Sequence, residues 1–331
     1  FSVMRMVATW RLSLLMNERD ERGKNSVVNE TILNTIRSNV RGEILEGEPL
    51  RDHTTYRVGG AAELLVCPGD TQGTEWLYSY AKREGIPLTV LGAGSNVIAP
   101  DEGLEGIVLQ MKRGGGGLEF DGGAKVRAEA GVDLTELARA AAARGLGGMS
   151  SLAGIPGTVG GAVWMNAGAH DVETADLLAS VDVLEPSGER RMRSRDDIAF
   201  GYRHSIFQGN DWLIVGAEFE LPQGDRKGIE EAIERLVAER NSKYPMEHPN
   251  AGSVFKRPEG DYAGRLIERA GCKGLRVGDA AVSERHANFI VNLGKAGSGE
   301  ILELIEIVRG RVLDSTGVDL EMEQVRLPRS V

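Results

Sequence analysis

The sequence contains few cysteines and no long apolar run. Only Cys67 and Cys272 occur among 331 residues, far apart and without CxxC spacing, so neither a zinc site nor a disulfide framework is indicated. Such a composition is typical of a reducing compartment, and we expect a soluble cytoplasmic protein. Because no apolar run approaches the ~20 residues that cross a bilayer, we expect no contact with the membrane.

The commonest catalytic and metal-binding motifs are also absent. None of the five histidines has HExxH or other metal-ligand spacing, and the sequence has no Walker A, GxSxG or cysteine-nucleophile motif. Metal sites and the usual forms of phosphoryl and acyl transfer are therefore not indicated. The net charge of -10 argues against general attraction to nucleic acid, which depends on neutralised phosphates. We expect a small-molecule ligand instead, since a few local cations suffice to bind a small anion.

Glycine, by contrast, is abundant and clustered. The sequence has 44 glycines, and ten of them cluster in three short segments, residues 92–96, 154–161 and 114–117. The first segment follows the apolar run Pro87–Leu91, which predicts a buried strand ending in a glycine turn. The segment at 114–117 predicts a flexible hairpin loop. Because glycine marks backbone that turns sharply or approaches a ligand closely, the other two segments are candidate ligand-binding turns.

Apolar periodicity predicts an α+β fold. Alternation over residues 106–111, 125–130 and 178–221 is typical of strands. Asp133 can cap one helix, and Ser298 opens another that keeps the 3.6-residue period. Since strands and helices interleave without a strict βαβ rhythm, we predict mixed sheets rather than one doubly wound parallel sheet.

A chain of 331 residues is expected to form two or three units. We place them at residues 28–85, 86–221 and 222–331, after an N-terminal extension at residues 1–27. Arginine and apolar residues mix between Met4 and Met16, which is compatible with a weak targeting segment, but no small-residue cleavage site follows. We favour a disordered extension or an over-long start.

The two candidate ligand-binding turns differ in form. Residues 91–96 (LGAGSN) end a predicted strand, where glycine amides can converge on a phosphate oxygen of a dinucleotide. They are not a Rossmann fingerprint, because Val97 stands where the third glycine would be. Residues 153–161 (AGIPGTVGG) set a rigid Pro156 among glycines, so the backbone can pass close to a planar ring or a pyrophosphate. Taken alone, each segment could also be a plain glycine turn or a buried loop.

Cations stand beside hydroxyl groups in two loop-like stretches, residues 201–207 (GYRHSIF) and residues 240–258. The second stretch gathers four of them in an otherwise acidic chain: Arg240, Lys243, Lys256 and Arg257. An arginine or lysine there could bind a carboxylate or a diphosphate by charge-assisted hydrogen bonds. Solvated surface charges are the alternative interpretation.

Taken together, these segments resemble the UDP-N-acetylenolpyruvoylglucosamine reductase family. The resemblance runs in order from about Thr54 to the C-terminus. Its other segments are TTYRVGG at residues 54–60, HPNAGSVFKRP at 248–258, AGRLIERAGCKG at 263–274 and HANFIVN at 286–292. The short interval between Arg203 and Ser253 resembles the family's second type, which lacks an extra loop and a tyrosine found over the substrate in the first type.

The resemblance implies an FAD-binding fold of the vanillyl-alcohol-oxidase type, in which two α+β units surround non-covalent FAD and a C-terminal α+β domain binds the substrate. The implied reaction is the NADPH-dependent reduction of UDP-N-acetylglucosamine enolpyruvate to UDP-N-acetylmuramate, in peptidoglycan precursor synthesis. We also expect a monomer. The residues implied to line the FAD site are Tyr56, Gly92, Gly94, Ser95, Asn96, Ile155, Pro156, Gly157, Thr158 and Gly160.

The same resemblance implies the catalytic residues. Arg203 would stabilise the negative charge that develops as hydride adds to C3 of the enolpyruvyl group, Ser253 would deliver a proton to C2, and Glu323 would donate a hydrogen bond to the enolate. Gln324 departs from the valine that usually follows the family's glutamate, so Glu321 stays an alternative. The predicted substrate-binding cations are Lys243, Lys256 and Arg257, and either lysine could also stabilise the Ser253 alkoxide.

Two other functions remain open from the sequence. Another FAD-dependent oxidase or dehydrogenase of the same fold would need the glycine turns but not the AGSVFK and GYRHSIF segments. A non-enzymatic flavin or nucleotide sensor would need neither Ser253 nor Glu323.

Overall fold

Two larger sheets and a smaller one organise the chain in this computed structural model, which describes residues 26–111 and 117–328. The predicted extension, up to residue 25, lies outside the described residues. So does the predicted loop at 114–117, apart from Gly117. Among the described residues, no helix is long and apolar enough to cross a membrane.

The first sheet has four strands in the order β1-β2-β5-β3. Strand β1 pairs antiparallel with β2, whereas β2 and β3 both run parallel to β5. The elements of this region are α1 (Glu30–Asn39), β1 (Gly42–Pro49), β2 (Ala61–Pro68), α2 (Thr71–Glu84), β3 (Leu88–Leu91), β4 (Val97–Ile98) and β5 (Leu104–Gln110). The sheet thus includes strands that follow residue 85, where we predicted the first unit to end. The unit boundaries stay a prediction.

The second sheet is antiparallel throughout, with five strands in the order β11-β10-β12-β7-β6. The elements here are β6 (Leu118–Phe120), β7 (Lys125–Glu129), α3 (Leu134–Ala142), α4 (Val159–Met165), β8 (Gly168–Ala169), β9 (Val172–Glu173), α5 (Thr174–Leu177), β10 (Leu178–Leu184), β11 (Arg190–Ser194) and β12 (Leu213–Glu220). The chain between α3 and α4 and the chain before β12 are irregular. Both of these irregular segments reach the candidate site.

The C-terminal region packs helices on a small antiparallel sheet, β13-β14-β15. Helix α6 (Arg226–Lys243) precedes this region and packs against α3 in the region of the second sheet. The further elements are α7 (Ala263–Arg269), β13 (Arg276–Val277), β14 (Ala280–Val282), β15 (Ile290–Asn292), α8 (Ser298–Thr316) and β16 (Val325–Arg326). Strand β16 leaves this region and pairs in parallel with β4. The last described residues therefore return to the glycine turn at 92–96, which immediately precedes β4.

Local sequence explains several of these elements. Asp133 accepts hydrogen bonds from the backbone N–H groups of Thr135 (2.8 Å) and Glu136 (3.0 Å), so it caps α3 as predicted. In α8 the five apolar residues at helical spacing are all buried, which confirms the periodicity: Ile301, Leu304, Ile305, Val308 and Val312. With mixed sheets and interleaved helices, the α+β class is confirmed.

The strand predicted from Pro87–Leu91 is present as β3, but the prediction that it is buried was wrong. Strand β3 lies at the edge of the first sheet, and Val90 is 45 % exposed. The apolar run faces the open cleft described below rather than a closed core. An apolar run indicates a surface that is removed from water, and at β3 a bound ligand rather than a protein core can do this.

Candidate active site

A cleft of about 1190 Å³ opens where the three regions meet. Its wall includes the end of β3 and the turn after it, the segment that leads into α4, the loop before β12 and the last turn of α6. Ser253 and Glu323 line it as well. A cavity of this size and mixed lining is typical of a site for a large cofactor together with a substrate.

The turn after β3 is held against the chain by backbone contacts. Gly94 has a left-handed backbone (φ +67°), and an added Cβ there would collide with the backbone of His53 and Thr54. Its carbonyl accepts the Thr55 N–H at 3.0 Å. Only glycine fits this position without strain.

The second glycine segment packs directly on the first. The Ser95 hydroxyl donates to the Pro156 carbonyl oxygen at 2.6 Å, and a Cβ on Gly92 would lie 2.7 Å from Thr158 Oγ1. Thr158 also caps α4 by accepting the Gly161 N–H at 3.3 Å. The two segments, far apart in sequence, thus form one continuous wall with little side-chain volume, as a planar cofactor requires.

Arg203 and Glu323 form an ion pair at the cleft. Arg203 Nε donates to Glu323 Oε1 at 3.0 Å, and Nη2 donates to the Gly168 carbonyl oxygen at 2.9 Å. The two side chains are only 17 % and 14 % exposed. Arg203 itself has a left-handed backbone (φ 52°), an uncommon conformation for a residue with a side chain. This geometry directs the guanidinium from an exposed turn towards the cleft.

Backbone hydrogen bonds bring Ser253 and Glu323 to the same wall. The Glu323 N–H donates to the Val254 carbonyl oxygen at 2.8 Å, directly beside Ser253. Asn96 Nδ2 donates to the Glu323 carbonyl oxygen at 3.2 Å. Three segments are therefore neighbours: those that carry Ser253, Glu323 and the first glycine turn.

Burial raises the pKa of the Glu323 carboxyl above the ordinary range of a glutamate. The positive charges of Arg203 and Lys256 act in the opposite direction, but the loss of hydration is the larger effect. The neutral acid therefore persists to higher pH at Glu323 than it would in an exposed glutamate.

The alternative glutamate lies elsewhere. Glu321 is 72 % exposed and its Oε1 pairs with Lys256 Nζ at 2.6 Å, whereas Glu323 lines the cleft. This geometry favours Glu323, although its catalytic role stays a prediction.

The predicted substrate-binding cations are not among the cleft-lining residues. Lys243 is 59 % exposed and pairs with Glu239, and Lys256 pairs with Glu321. The Arg257 guanidinium stacks over the ring of Tyr262 at 4.2 Å. Their predicted contacts with substrate, and the predicted effect of either lysine on the Ser253 alkoxide, stay predictions that these positions do not favour.

Arg240 lines the cleft instead. Its guanidinium lies 4.8 Å from the centre of the Tyr244 ring, and the Arg240 Cδ lies beside Gly154 in the second glycine segment. Burial lowers the pKa of the guanidinium. Among the described residues it has no ion-pair partner. The sequence marked Arg240 only as one of four clustered cations, and the i,i+4 spacing to Tyr244 was the available signal for its orientation.

Of the ten residues predicted to line the FAD site, nine lie on the cleft wall. Tyr56 is the exception. Its ring is fully buried in the core of the C-terminal region, and its hydroxyl donates to Gln324 Oε1 at 3.1 Å. A direct contact of Tyr56 with a cofactor stays a prediction, and the buried ring offers no surface for it.

Comparison with known proteins agrees with these features. The FAD binding domain family matches residues 62–192, and the C-terminal domain of UDP-N-acetylenolpyruvoylglucosamine reductase matches residues 244–327. The reductase of Moorella thermoacetica is 43 % identical over 288 residues, which cover 87 % of this chain and 94 % of that protein. The reductase of Synechococcus sp. is 45 % identical over 291 residues, with coverage of 86 % and 94 %. The crystal structure of the Thermus caldophilus reductase superposes with a TM-score of 0.73 at 35 % identity, covering 87 % of this chain and all of that one.

The fold and the cleft define an FAD-binding oxidoreductase with a separate C-terminal substrate domain, which confirms the predicted fold class. The chain belongs to the UDP-N-acetylenolpyruvoylglucosamine reductase family. The family resemblance seen in the sequence is therefore confirmed. The residues present also fit FAD, because the wall of two interlocked glycine turns leaves room for close approach by a dinucleotide.

We expect Gly94→Ala to impair FAD binding far more than Gly85→Ala. Both glycines have left-handed backbones (φ +67° and +68°), so both variants carry a similar strain of about 1 kcal/mol. Only at Gly94 would the methyl group meet neighbouring backbone, since nothing lies within 4 Å of a Cβ on Gly85. The measurements are the flavin absorbance per mole of purified protein and the melting temperature. Equal flavin content in the two variants would show that Gly94 does not shape the cofactor wall.

Proposed function

We propose that this chain reduces UDP-N-acetylglucosamine enolpyruvate to UDP-N-acetylmuramate, a step of peptidoglycan precursor synthesis, with Arg203, Ser253 and Glu323 as the catalytic residues. The two glycine turns would hold FAD non-covalently in the cleft, and the bound flavin would supply the hydride, with NADPH as its source. One observation supports this assignment of residues. Arg203, Glu323 and the loop that carries Ser253 (residues 250–254, the serine loop) converge on the wall formed by the glycine turns.

The reaction adds hydride to C3 of the enolpyruvyl group and a proton to C2, which turns the C=C bond into a CH–CH bond. Negative charge develops on C2 and on the adjacent carboxylate as hydride arrives. A fixed guanidinium in a site shielded from water stabilises such charge strongly, by several kcal/mol in comparable sites. This is the role we propose for Arg203, whose orientation is fixed by Gly168 and Glu323 before substrate binds.

Ser253 and Glu323 would manage the protons. The Ser253 hydroxyl would donate its proton to C2, and neutral Glu323 would donate a hydrogen bond to the developing enolate. The raised pKa of Glu323 supports the second role, because burial favours the form that carries the proton.

We also propose that Arg240 binds an anionic group of the substrate. The cation faces the cleft, is largely removed from water and lacks an ion-pair partner among the described residues. Such a guanidinium gains most from a phosphate or carboxylate that arrives with the ligand.

The cytoplasmic location and the monomeric state expected from the sequence remain proposals, which cell fractionation and sedimentation would test.

The direct test follows the flavin spectrum of the purified protein without oxygen. We expect a yellow protein that releases FAD on acid precipitation, loses its visible absorbance with NADPH and regains it when the enolpyruvyl sugar nucleotide is added. A protein that NADPH bleaches but the enolpyruvyl compound does not reoxidise would contradict the proposed substrate. A colourless protein that cannot be reconstituted with FAD would contradict the function altogether.

Ser253→Ala is expected to separate the two halves of the reaction. Flavin reduction by NADPH should persist, because it involves no proton transfer to C2. Reoxidation by the enolpyruvyl substrate should slow by about 10²–10⁴-fold, the usual loss for a positioned acid. Ser253→Cys should recover part of the rate, since a thiol can still donate a proton. Rapid mixing measures both steps, and a near wild-type reoxidation rate in Ser253→Ala would remove this residue from the mechanism.

Arg240→Met and Lys243→Met form a matched pair, one turn apart on α6. We expect the KM for the enolpyruvyl substrate to rise by about 10- to 100-fold in Arg240→Met, the equivalent of one charge-assisted hydrogen bond. Lys243→Met should leave this KM nearly unchanged, because the ammonium group pairs with Glu239 outside the cleft. The reverse result would restore the substrate-binding role that the sequence assigned to Lys243.

A further inference from the structure

Gln324 has a buried side chain whose amide makes three hydrogen bonds. It directly follows Glu323, and 3 % of its surface is exposed. Its Oε1 accepts the Tyr56 hydroxyl at 3.1 Å, while Nε2 donates to the carbonyl oxygens of Ala251 at 3.1 Å and Gly252 at 3.2 Å. Carbonyl oxygens can only accept, so they fix which end of the amide faces them.

These partners belong to distant parts of the chain. Ala251 and Gly252 immediately precede Ser253, and Gln324 immediately follows Glu323. Tyr56 comes from the region of the first sheet, yet its ring is fully buried in the same core as Ala251 and Val254. The Gln324 amide therefore connects the serine loop and the segment that carries Glu323 (residues 321–324, the glutamate segment) to Tyr56, which comes from the region of the first sheet.

Within the serine loop, the turn at Gly252 depends on such hydrogen bonds, whereas Ala251 and Val254 on either side are packed in the core. Gly252 has a left-handed backbone (φ +75°), and nothing lies within 4 Å of where its Cβ would be. Its N–H donates to Asn250 Oδ1 at 3.1 Å, and its carbonyl accepts from Gln324. A loop held by two side-chain amides, with open space at its turn, can shift when either amide is lost.

We propose that Gln324 is a positioning residue for proton delivery, which holds the Ser253 loop at the cleft with Tyr56 as its anchor. This inference rests on the proposed function of Ser253. The valine usual after the family's glutamate has no group that could make these bonds, so the arrangement is a feature of this chain. Burial raises the pKa of the Tyr56 hydroxyl, which therefore stays a donor throughout the working range of pH.

The first variant is Gln324→Leu, which keeps the approximate size of the side chain and removes all three hydrogen bonds. We expect reoxidation of the flavin by the enolpyruvyl substrate to slow by about 10- to 100-fold, since displacement of a reacting group by about 1 Å has effects of this size. Flavin content and reduction by NADPH should stay close to wild type. The solvent deuterium isotope effect on reoxidation should increase, because proton delivery becomes the slower event.

Tyr56→Phe removes only the anchor hydroxyl and leaves the ring in the core. We expect a smaller decrease in the reoxidation rate than in Gln324→Leu. The double variant should be no slower than Gln324→Leu alone, because Tyr56 acts on the loop through Gln324 and the two effects are not independent. Additive effects of the two substitutions would contradict this connection.

Asn292→Leu is the matched control. Asn292 is a buried amide of the same region, 2 % exposed, and it also makes three hydrogen bonds, to Tyr56 O, Gly294 N and Ala296 N. None of these bonds involves the serine loop or the glutamate segment, and the bond to Tyr56 is to its backbone carbonyl oxygen rather than to the hydroxyl that bonds to Gln324. We expect this variant to lower the melting temperature while the reoxidation rate and its isotope effect stay unchanged.

The outcomes separate this inference from the proposed function. Failure of the enolpyruvyl compound to reoxidise the wild-type protein would contradict the function itself. Normal reoxidation in both wild type and Gln324→Leu, with the same isotope effect, would overturn only the role of Gln324. If Gln324→Leu does not fold, Tyr56→Phe decides, and a wild-type rate and isotope effect there would overturn the inference.

Discussion

The hydrogen bond from Arg203 to the Glu323 carboxyl group is the interaction on which the arrangement of the site depends. It joins the loop before β12 to the segment before β16. Each partner also has its own contacts: Arg203 donates to the Gly168 carbonyl oxygen, and the Glu323 backbone bonds to the Val254 carbonyl oxygen and to the Asn96 side chain. A buried contact of this kind contributes little net stability, because the cost of removing charge from water offsets the attraction. Its presence at the cleft is better explained by the proposed reaction, in which the Arg203 guanidinium and the Glu323 carboxyl group act from fixed positions.

The remainder of the site is built by segments that irregular backbone brings together. The two glycine turns interlock through Ser95 and Pro156, and β16 returns the C-terminal segment to β4 beside the first turn. Since these contacts join residues more than sixty positions apart, folding of all three regions has to be complete before the cleft exists. The sheets supply rigidity, and the loops between them supply the chemistry.

Sequence patterns predicted what depends on neighbouring residues. The cap at Asp133, the buried face of α8 and the glycine turns follow from local rules, and the ordered set of motifs was specific enough to indicate the family. Preference for Glu323 over Glu321 also agrees with the geometry. These features need no knowledge of which segments meet.

Features that depend on tertiary partners were not predictable in the same way. The apolar run of β3 gives no sign that its partner is an open cleft rather than a core. Lys243 and Arg240 are one helical turn apart, yet only Arg240 reaches the cleft, because an i,i+4 pair with Glu239 keeps Lys243 in solvent. The Tyr56 hydroxyl bonds to Gln324, 268 residues away, a contact that no local pattern indicates.

The protonation state of Glu323 is the most direct test of this account. The measurement is the rate constant for flavin reoxidation by the enolpyruvyl substrate as a function of pH, in wild type and in Glu323→Gln. Burial raises the pKa of Glu323, and the role proposed for Glu323 needs the neutral acid. The wild-type rate should therefore be constant at low pH and fall as pH rises through that pKa. Glu323→Gln keeps a hydrogen-bond donor that cannot ionise, so it should lose this dependence on pH. A rate that increases with pH over this range, or an identical profile in the two proteins, would contradict the account.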